Sequence, residues 1–341
     1  MRVLVTGSNG YIGSVLMPLL MKAGHEVIGF DSDLYAECTY GPSFPKFPFT
    51  RKDIRDAELS DLEGQDAVIH LAALSNDPLS DLNPGLTFDI NHEASVKLAR
   101  IAKDAGVKRF LFSSSCSTYG ASGDNMLNET ANFNPITPYG TTKVLVERDV
   151  SALADETFSP TFLRNATAYG VSPRMRFDLV INNLVAWAYA SGLVYLKSDG
   201  TPWRPVVHVE DIARAFITIL QAPRETVHNQ AFNIGSNSEN YRILDLAKIV
   251  EKIVPGCRIE FAKDAGPDKR CYRVEFGKFY ATFPHHKAKW DAMAGAEELY
   301  KSYKKYGIRQ EDFEGPRYKR IDHIKRLLAE GRLDKTLRWV V

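Results

Sequence analysis

The segment Thr6-Gly7-Ser8-Asn9-Gly10-Tyr11-Ile12-Gly13 follows directly on the apolar run Val3-Leu4-Val5. A strand that feeds a glycine-rich turn and then a helix admits few folds. The first glycine permits the tight turn, the second lets backbone approach a diphosphate, and the third allows helix and sheet to pack closely. The helix N-terminus then presents unpaired N–H groups and partial positive charge to phosphate oxygens.

The same alternation continues along the chain. Residues 3–6, 27–31, 67–70, 110–113 and 161–163 read as short buried strands, with amphipathic stretches at 12–23, 86–105 and 139–153 between them. Strand and helix in alternation predict an α/β fold of the Rossmann type, with a doubly wound parallel sheet and right-handed crossovers. Gly24 and Gly106 stand where the first and second helices should stop. Residues 40–48, rich in Pro and Gly, predict a surface loop. From about Arg174 the pattern changes to helix-like stretches at 178–191, 209–221, 243–254 and 291–305, separated by strand-like runs at 231–234 and 258–261. We therefore expect a dinucleotide-binding domain over 1–173, with a return to its sheet from about 203–237. Residues 174–341 then form mainly a smaller C-terminal substrate-binding lobe. The charged tail 309–341 keeps apolar spacing through Ile321, Ile324, Leu327 and Leu328, which predicts a packed helix.

Composition narrows the partners. Lys and Arg exceed Asp and Glu by one charge, so no global field draws nucleic acid or an acidic membrane. Cys38, Cys116, Cys257 and Cys271 make no C-x-x-C pair and no zinc spacing, so no metal is expected. Widely spaced thiols and the lack of a leader-like opening segment predict a cytoplasmic protein. The longest apolar stretch, near residues 179–190, is interrupted by Asn182 and Asn183, too polar to span a bilayer.

Asp31 ends the second strand-like run. A carboxylate there accepts from both ribose hydroxyls and repels a 2′-phosphate, favouring NAD over NADP; a helix-capping Asp in Asp31-Ser32-Asp33 is the competing reading. Asp53-Ile54 follows another strand-like run, where an adenine contact and an ordinary loop acid fit equally. Tyr139 and Lys143 are four apart and share one helix face. An ammonium beside a phenol favours phenolate, which can exchange a proton with a sugar hydroxyl. That pair alone is common on solvated helices. The hydroxyl-rich run Ser113-Ser114-Ser115-Cys116-Ser117 stands after a later strand, where a doubly wound sheet presents its ligand edge.

With these residues in view, the chain resembles the extended short-chain dehydrogenase/reductase superfamily, in particular the NAD-dependent epimerase/dehydratase branch of UDP-glucose 4-epimerase type. The shared motifs occur in order: the Gly7/Gly10/Gly13 turn, Asp53-Ile54, His70-Leu71-Ala72-Ala73, Asn91, the serine run, Tyr139-x-x-x-Lys143, Arg204-x-x-x-His208-Val209-x-Asp211 and Phe232-Asn233-Ile234-Gly235. The resemblance implies that Gly7, Gly10, Tyr11, Ile12 and Gly13 line the cofactor diphosphate, with Asp31 on the adenosine ribose and Asp53 and Ile54 at adenine. Leu71, Ala72, Ala73 and Asn91 run along the NAD. Ser115, Tyr139 and Lys143 form the catalytic set, with Tyr139 and Lys143 also touching the cofactor. Ser75, Ser117, Thr167, Asn183, Arg204 and Arg270 are the implied contacts to a nucleotide-diphosphate sugar, the two arginines as a phosphate clamp. Many members form homodimers through two helices, here 86–105 and 139–153.

The departures narrow the chemistry. The family's 4,6-dehydratases carry an acid just after the catalytic hydroxyl, and its decarboxylases a Glu two residues before the Tyr-Gly. Here Cys116 and Ser117 occupy those positions. The 3,5-epimerizing members have a Cys where Ser117 stands. Thr167 replaces a usual Asn, and Ser75-Asn76-Asp77-Pro78 differs from the usual loop. The expected activity is epimerization by transient oxidation of a ring hydroxyl, at carbon four. A net-redox dehydrogenase or ketoreductase is the alternative, followed by a dehydratase. A non-catalytic NAD-binding regulator is disfavoured because Ser115, Tyr139 and Lys143 are all intact.

Overall fold

The structure, a computed structural model, describes residues 1–75, 83–121, 125–266 and 271–340. Seven strands make the central sheet: β1 (Arg2–Thr6), β2 (Glu26–Asp31), β3 (Phe49–Arg51), β4 (Ala67–His70), β5 (Arg109–Ser115), β6 (Ser159–Asn165) and β7 (Gln230–Ile234). Their order is β7-β6-β5-β4-β1-β2-β3, and every adjacent pair is parallel. The chain winds outward in both directions from β1 and β4, so a crevice opens at the carboxyl ends of those two strands.

Alternation along the strands divides the core. Val3 and Val5 point to one face, with Ile69 and Leu111. There they meet Leu16 and Leu20 of the Gly13–Lys22 helix and Ile212 and Phe216 of the Val209–Gln221 helix. Leu4, Val68 and Phe110 point to the other face, against Leu98 and Ala102 of the Ala94–Asp104 helix and Val146 and Val150 of the Pro138–Ser151 helix. Because helices cover both faces, β4 and β6 are buried along their whole length.

Residues 86–105 are not one regular helix. A short helix, Pro84–Phe88, passes through a widened π turn, Asp89–Glu93, into Ala94–Asp104. The extra residue in that turn rotates the side chains that follow by about 100° relative to those before it.

The second lobe has its own core. The Val180–Ser191, Ile243–Ile253 and Ala292–Tyr306 helices contribute Leu184, Val250 and Leu299 to it, beside a parallel pair of strands, Leu193–Ser198 and Arg258–Gly266. Residues 40–48 form no regular element, as expected, yet Tyr40 is buried. Its ring meets Phe177 and Tyr303 edge-on, with centroids 6.0 and 6.1 Å away. Tyr11, from the glycine turn, joins this same core, whereas Ile324 and Leu327 of the Arg320–Ala329 helix pack on the sheet side. The two cores therefore exchange residues across the 173/174 boundary expected from sequence. Among the described residues, no helix is long and apolar enough to cross a membrane. The four cysteines are free thiols.

Candidate active site

A cleft of about 850 Å³ opens at the carboxyl edge of the sheet and runs into the second lobe. Its floor is the glycine turn. Gly7 adopts φ +70°, and its amide donates to Phe30 O at 2.9 Å. A Cβ on Gly7 would lie 2.7 Å from the Ala72 nitrogen, and one on Gly13 would lie 2.3 Å from the Gly7 carbonyl. Backbone therefore lies too close for any side chain at these two positions, that of the loop after β4 at Gly7 and that of the turn itself at Gly13. Gly10, Ile12, Leu71, Ala72, Ala73 and Ile54 all line the cleft. Tyr11 does too, but its ring points into the lobe core and its hydroxyl donates to Gly170 O at 2.7 Å. Its phenol is committed to joining the two halves of the protein.

Asp31 lies on the cleft wall at the end of β2. Its oxygens accept from the amides of Asn9 (2.9 Å) and Asp33 (2.7 Å). Burial pushes its pKa up, against those two donors. Asp53 also lines the cleft, with both oxygens held by Arg55. Asn91 does not line the cleft. Its buried side-chain amide accepts from Leu74 N (2.7 Å) and donates to Leu74 O (3.1 Å). Sitting in the π turn, it reaches the loop after β4 and positions that loop without touching the cleft itself.

Thr137 caps the Pro138–Ser151 helix by accepting from Gly140 N at 3.1 Å, and Pro138 occupies its first turn. The cap fixes where the helix begins and so brings Tyr139 and Lys143 to the cleft. The Lys143 ammonium lies 5.4 Å from the centre of the Tyr139 ring and 4.4 Å from that of Phe112. It donates to Ser113 O at 2.7 Å. Burial pushes its pKa down to about 7, with Glu147 pulling the other way. Ser115 ends β5 at the same cleft and accepts from Ser117 N at 3.1 Å. Ser117 Oγ is buried there without a hydrogen-bond partner among the described residues. Cys116, between them, is fully buried, and its thiol donates to Arg164 O at 3.1 Å. Burial holds it well above the usual thiol range, so it is a packed, inert group.

Thr167, Asn183 and Arg204 line the lobe side of the cleft. Arg204 lies with its guanidinium 5.6 Å from the centre of the Tyr272 ring and donates to Trp203 O at 3.0 Å. Ser75 is at the rim, where its carbonyl and hydroxyl oxygens both accept from Arg176 at 3.1 Å. Arg270 and residues 76–78 lie outside the described residues. The structure adds cleft groups that sequence reasoning missed. Arg176 grips both oxygens of Asp178 at 3.0 and 2.6 Å. Asn165 also lines the cleft, with a buried Oδ1 unpaired among the described residues and an amide that donates to Ser113 Oγ. An Arg-x-Asp spacing and an Asn closing a strand were the available signals. Among the described residues, no cluster of three or more His, Cys, Asp or Glu could hold a metal ion.

This combination is matched by known proteins. The sequence model of the NAD dependent epimerase/dehydratase family covers residues 3–235, more than half the chain. The chain belongs to this family. Among its relatives, the UDP-glucose 4-epimerase of Lactobacillus helveticus is 34% identical over 275 residues, covering 74% of this chain and 82% of that protein. That of Bacillus subtilis is 29% identical over 283 residues, again covering 74% and 82%. Among solved structures, MoeE5 in complex with UDP-glucuronic acid and NAD superposes with a TM-score of 0.78 at 27% identity, covering 89% of this chain and 99% of that one. The UDP-glucose 4-epimerase of Thermotoga maritima with UDP-glucose gives 0.77 at 25%, covering 89% and 99%. The chain is thus an NAD-dependent enzyme of the extended short-chain type. The residues of its cleft fit NAD: the glycine turn carries no side chain at positions 7, 10 and 13, and the Asp31 carboxylate stands on the cleft wall beside it.

Proposed function

We propose that this enzyme epimerizes a nucleotide-diphosphate sugar at a ring hydroxyl, carbon four. Bound NAD supplies a reversible hydride acceptor. Tyr139 takes the hydroxyl proton and later returns it. Lys143, dry and one helical turn away, stabilises the phenolate, and Ser115 donates to the sugar oxygen as charge develops on it. Thr167, Asn183 and Arg204 hold the nucleotide sugar from the lobe while the sugar ring presents its second face. Pre-positioning by both halves of the cleft supplies much of the rate.

The observation that carries this reading is the juxtaposition of Tyr139, Lys143 and Ser115 on one cleft with the glycine turn and Asp31. The buried Cys116 supports it further, since no acid follows Ser115 to drive loss of water. Asp178 lines the cleft, but Arg176 already holds both its oxygens. The two helical stretches expected to pair in a homodimer are joined here by His92 and Asp149 at 2.7 Å, which supports one rigid pairing surface. The four free thiols fit a cytoplasmic setting.

The test is incubation with a panel of nucleotide sugars, followed by mass and NMR analysis. An isomer of equal mass is expected. Loss of water would replace epimerization by dehydration, and net NADH formation would replace it by a dehydrogenase.

A further inference from the structure

The C-terminal segment, outside the span of the family match, comes back to the cofactor half of the cleft. The Arg320–Ala329 helix buries Ile324 and Leu327 beside Leu4 and Phe30. Beyond it, Leu333 and Trp339 form an isolated antiparallel bridge. Leu337 lines the cleft at φ +61°. Trp339 Nε1 donates to Ser32 O at 2.7 Å, and Arg55 Nη2 donates to Thr336 O at 2.8 Å. Ser32 follows Asp31, and Arg55 holds Asp53. The segment is therefore fastened to the two acids at the adenosine end.

Arg320 opens this helix and also lines the cleft, although it is only 5% exposed. Its guanidinium stacks 3.8 Å from the centre of the Tyr35 ring. Nη2 donates to Arg174 O at 3.1 Å, and Arg174 Nε in turn donates to Asn9 O, within the glycine turn, at 2.9 Å. Nη1 is buried and has no hydrogen-bond partner among the described residues. The carboxylate that acts on it, Asp178, has both oxygens held by Arg176. Burial pushes the Arg320 pKa down, yet a guanidinium keeps its proton in proteins. The result is a desolvated cation on the cleft wall whose Nη1 is unpartnered among the described residues, linked through Arg174 to the glycine turn. Such a group is costly in isolation and is relieved by an anion whose oxygens accept from the planar guanidinium, as those of a phosphate do.

We propose that Arg320 is a phosphate ligand of the dinucleotide, its Nη1 donating to an oxygen of the NAD diphosphate. Tyr35 holds the guanidinium plane, and the 333–339 segment closes the adenosine end beside it. The proposal needs only that NAD occupies this cleft, so it stands whether the turnover is epimerization or net redox.

The test is titration calorimetry of the full chain with NAD, ADP-ribose and adenosine. Arg320→Met should weaken NAD and ADP-ribose by about 10-fold or more while adenosine binding stays within about twofold. Arg320→Lys keeps the charge without the planar fork and should recover part of the loss. Unchanged affinity for ADP-ribose in Arg320→Met would overturn the assignment. So would an equal loss for adenosine, because the residue would then shape the adenine end alone. Should the methionine variant not fold, wild-type protein with labelled arginine decides it: the Arg320 Nη signals shift with ADP-ribose and not with adenosine. A shift with both, or with neither, counts against the proposal.

Discussion

Arg164 holds both carboxylate oxygens of Glu147, with Nε at 3.1 Å from each and Nη2 at 2.7 Å from Oε2. Both side chains are 7% exposed. Ser114 Oγ donates to Glu147 Oε1 at 2.5 Å, and Arg164 Nη1 donates to Tyr119 Oη at 3.0 Å. Glu147 lies one helical turn after Lys143, so this pair fastens the catalytic helix to β5 and β6.

Glu147→Gln should therefore be strongly destabilising, by about 3–5 kcal/mol, because it leaves the Arg164 cation buried without its counter-charge. Urea unfolding measures this. Replacing both partners by apolar residues of similar size should cost less than the single change. If the single change costs no more than an exposed ion pair, the network is not what seats the helix.

Lys143 makes stability depend on pH. Its folded pKa is about 7, pushed down by burial, while an unfolded lysine titrates near about 10.4. Between those values the unfolded chain binds more protons, so stability rises with pH across that window. Lys143→Met removes this dependence. The wild-type stability minus that of the variant should grow by about 2–4 kcal/mol from about pH 7 to 10 in the cofactor-free protein. A flat difference would mean that the folded ammonium is paired with an anion.

Tyr139→Phe keeps the ring and removes the proton carrier. Turnover should fall by about 10²–10⁴-fold, while calorimetry finds NAD affinity within about threefold of wild type. Full activity in this variant would discard the assigned proton transfer.

Gly13→Ala tests the cradle. The added Cβ would lie 2.3 Å from the Gly7 carbonyl and 2.5 Å from that of Ser8, both backbone atoms that cannot swing aside. NAD affinity should fall by about 10-fold or more, since the turn must open to accept the methyl group. Wild-type affinity would show that the turn has slack.

The glycine turn, the buried strands and the Tyr139–Lys143 spacing were legible in the sequence because each is a local pattern with one geometric meaning. Asp31 was legible for the same reason, as an acid at the end of a strand. Asn91 was read as touching the cofactor, but in the π turn its amide is taken up by Leu74, a partner 17 residues away that the fold and not local spacing brings to it. Tyr40 was hidden by its Pro- and Gly-rich neighbours, which describe the backbone and not the aromatic cluster it enters. Arg176 and Arg320 stand in charged surroundings that look like any solvated surface. What makes them different is burial created by elements far away in the chain.

The link from Trp339 to Ser32 joins residues 307 apart, and that from Arg55 to Thr336 joins residues 281 apart. Closing so long a stretch costs much chain entropy before any contact compensates for it. The seam at the adenosine end should thus be among the last to form during refolding and among the first to come undone under mild denaturant. Pulse-labelled amides at 333–339 would then gain protection after those of β1 and β4.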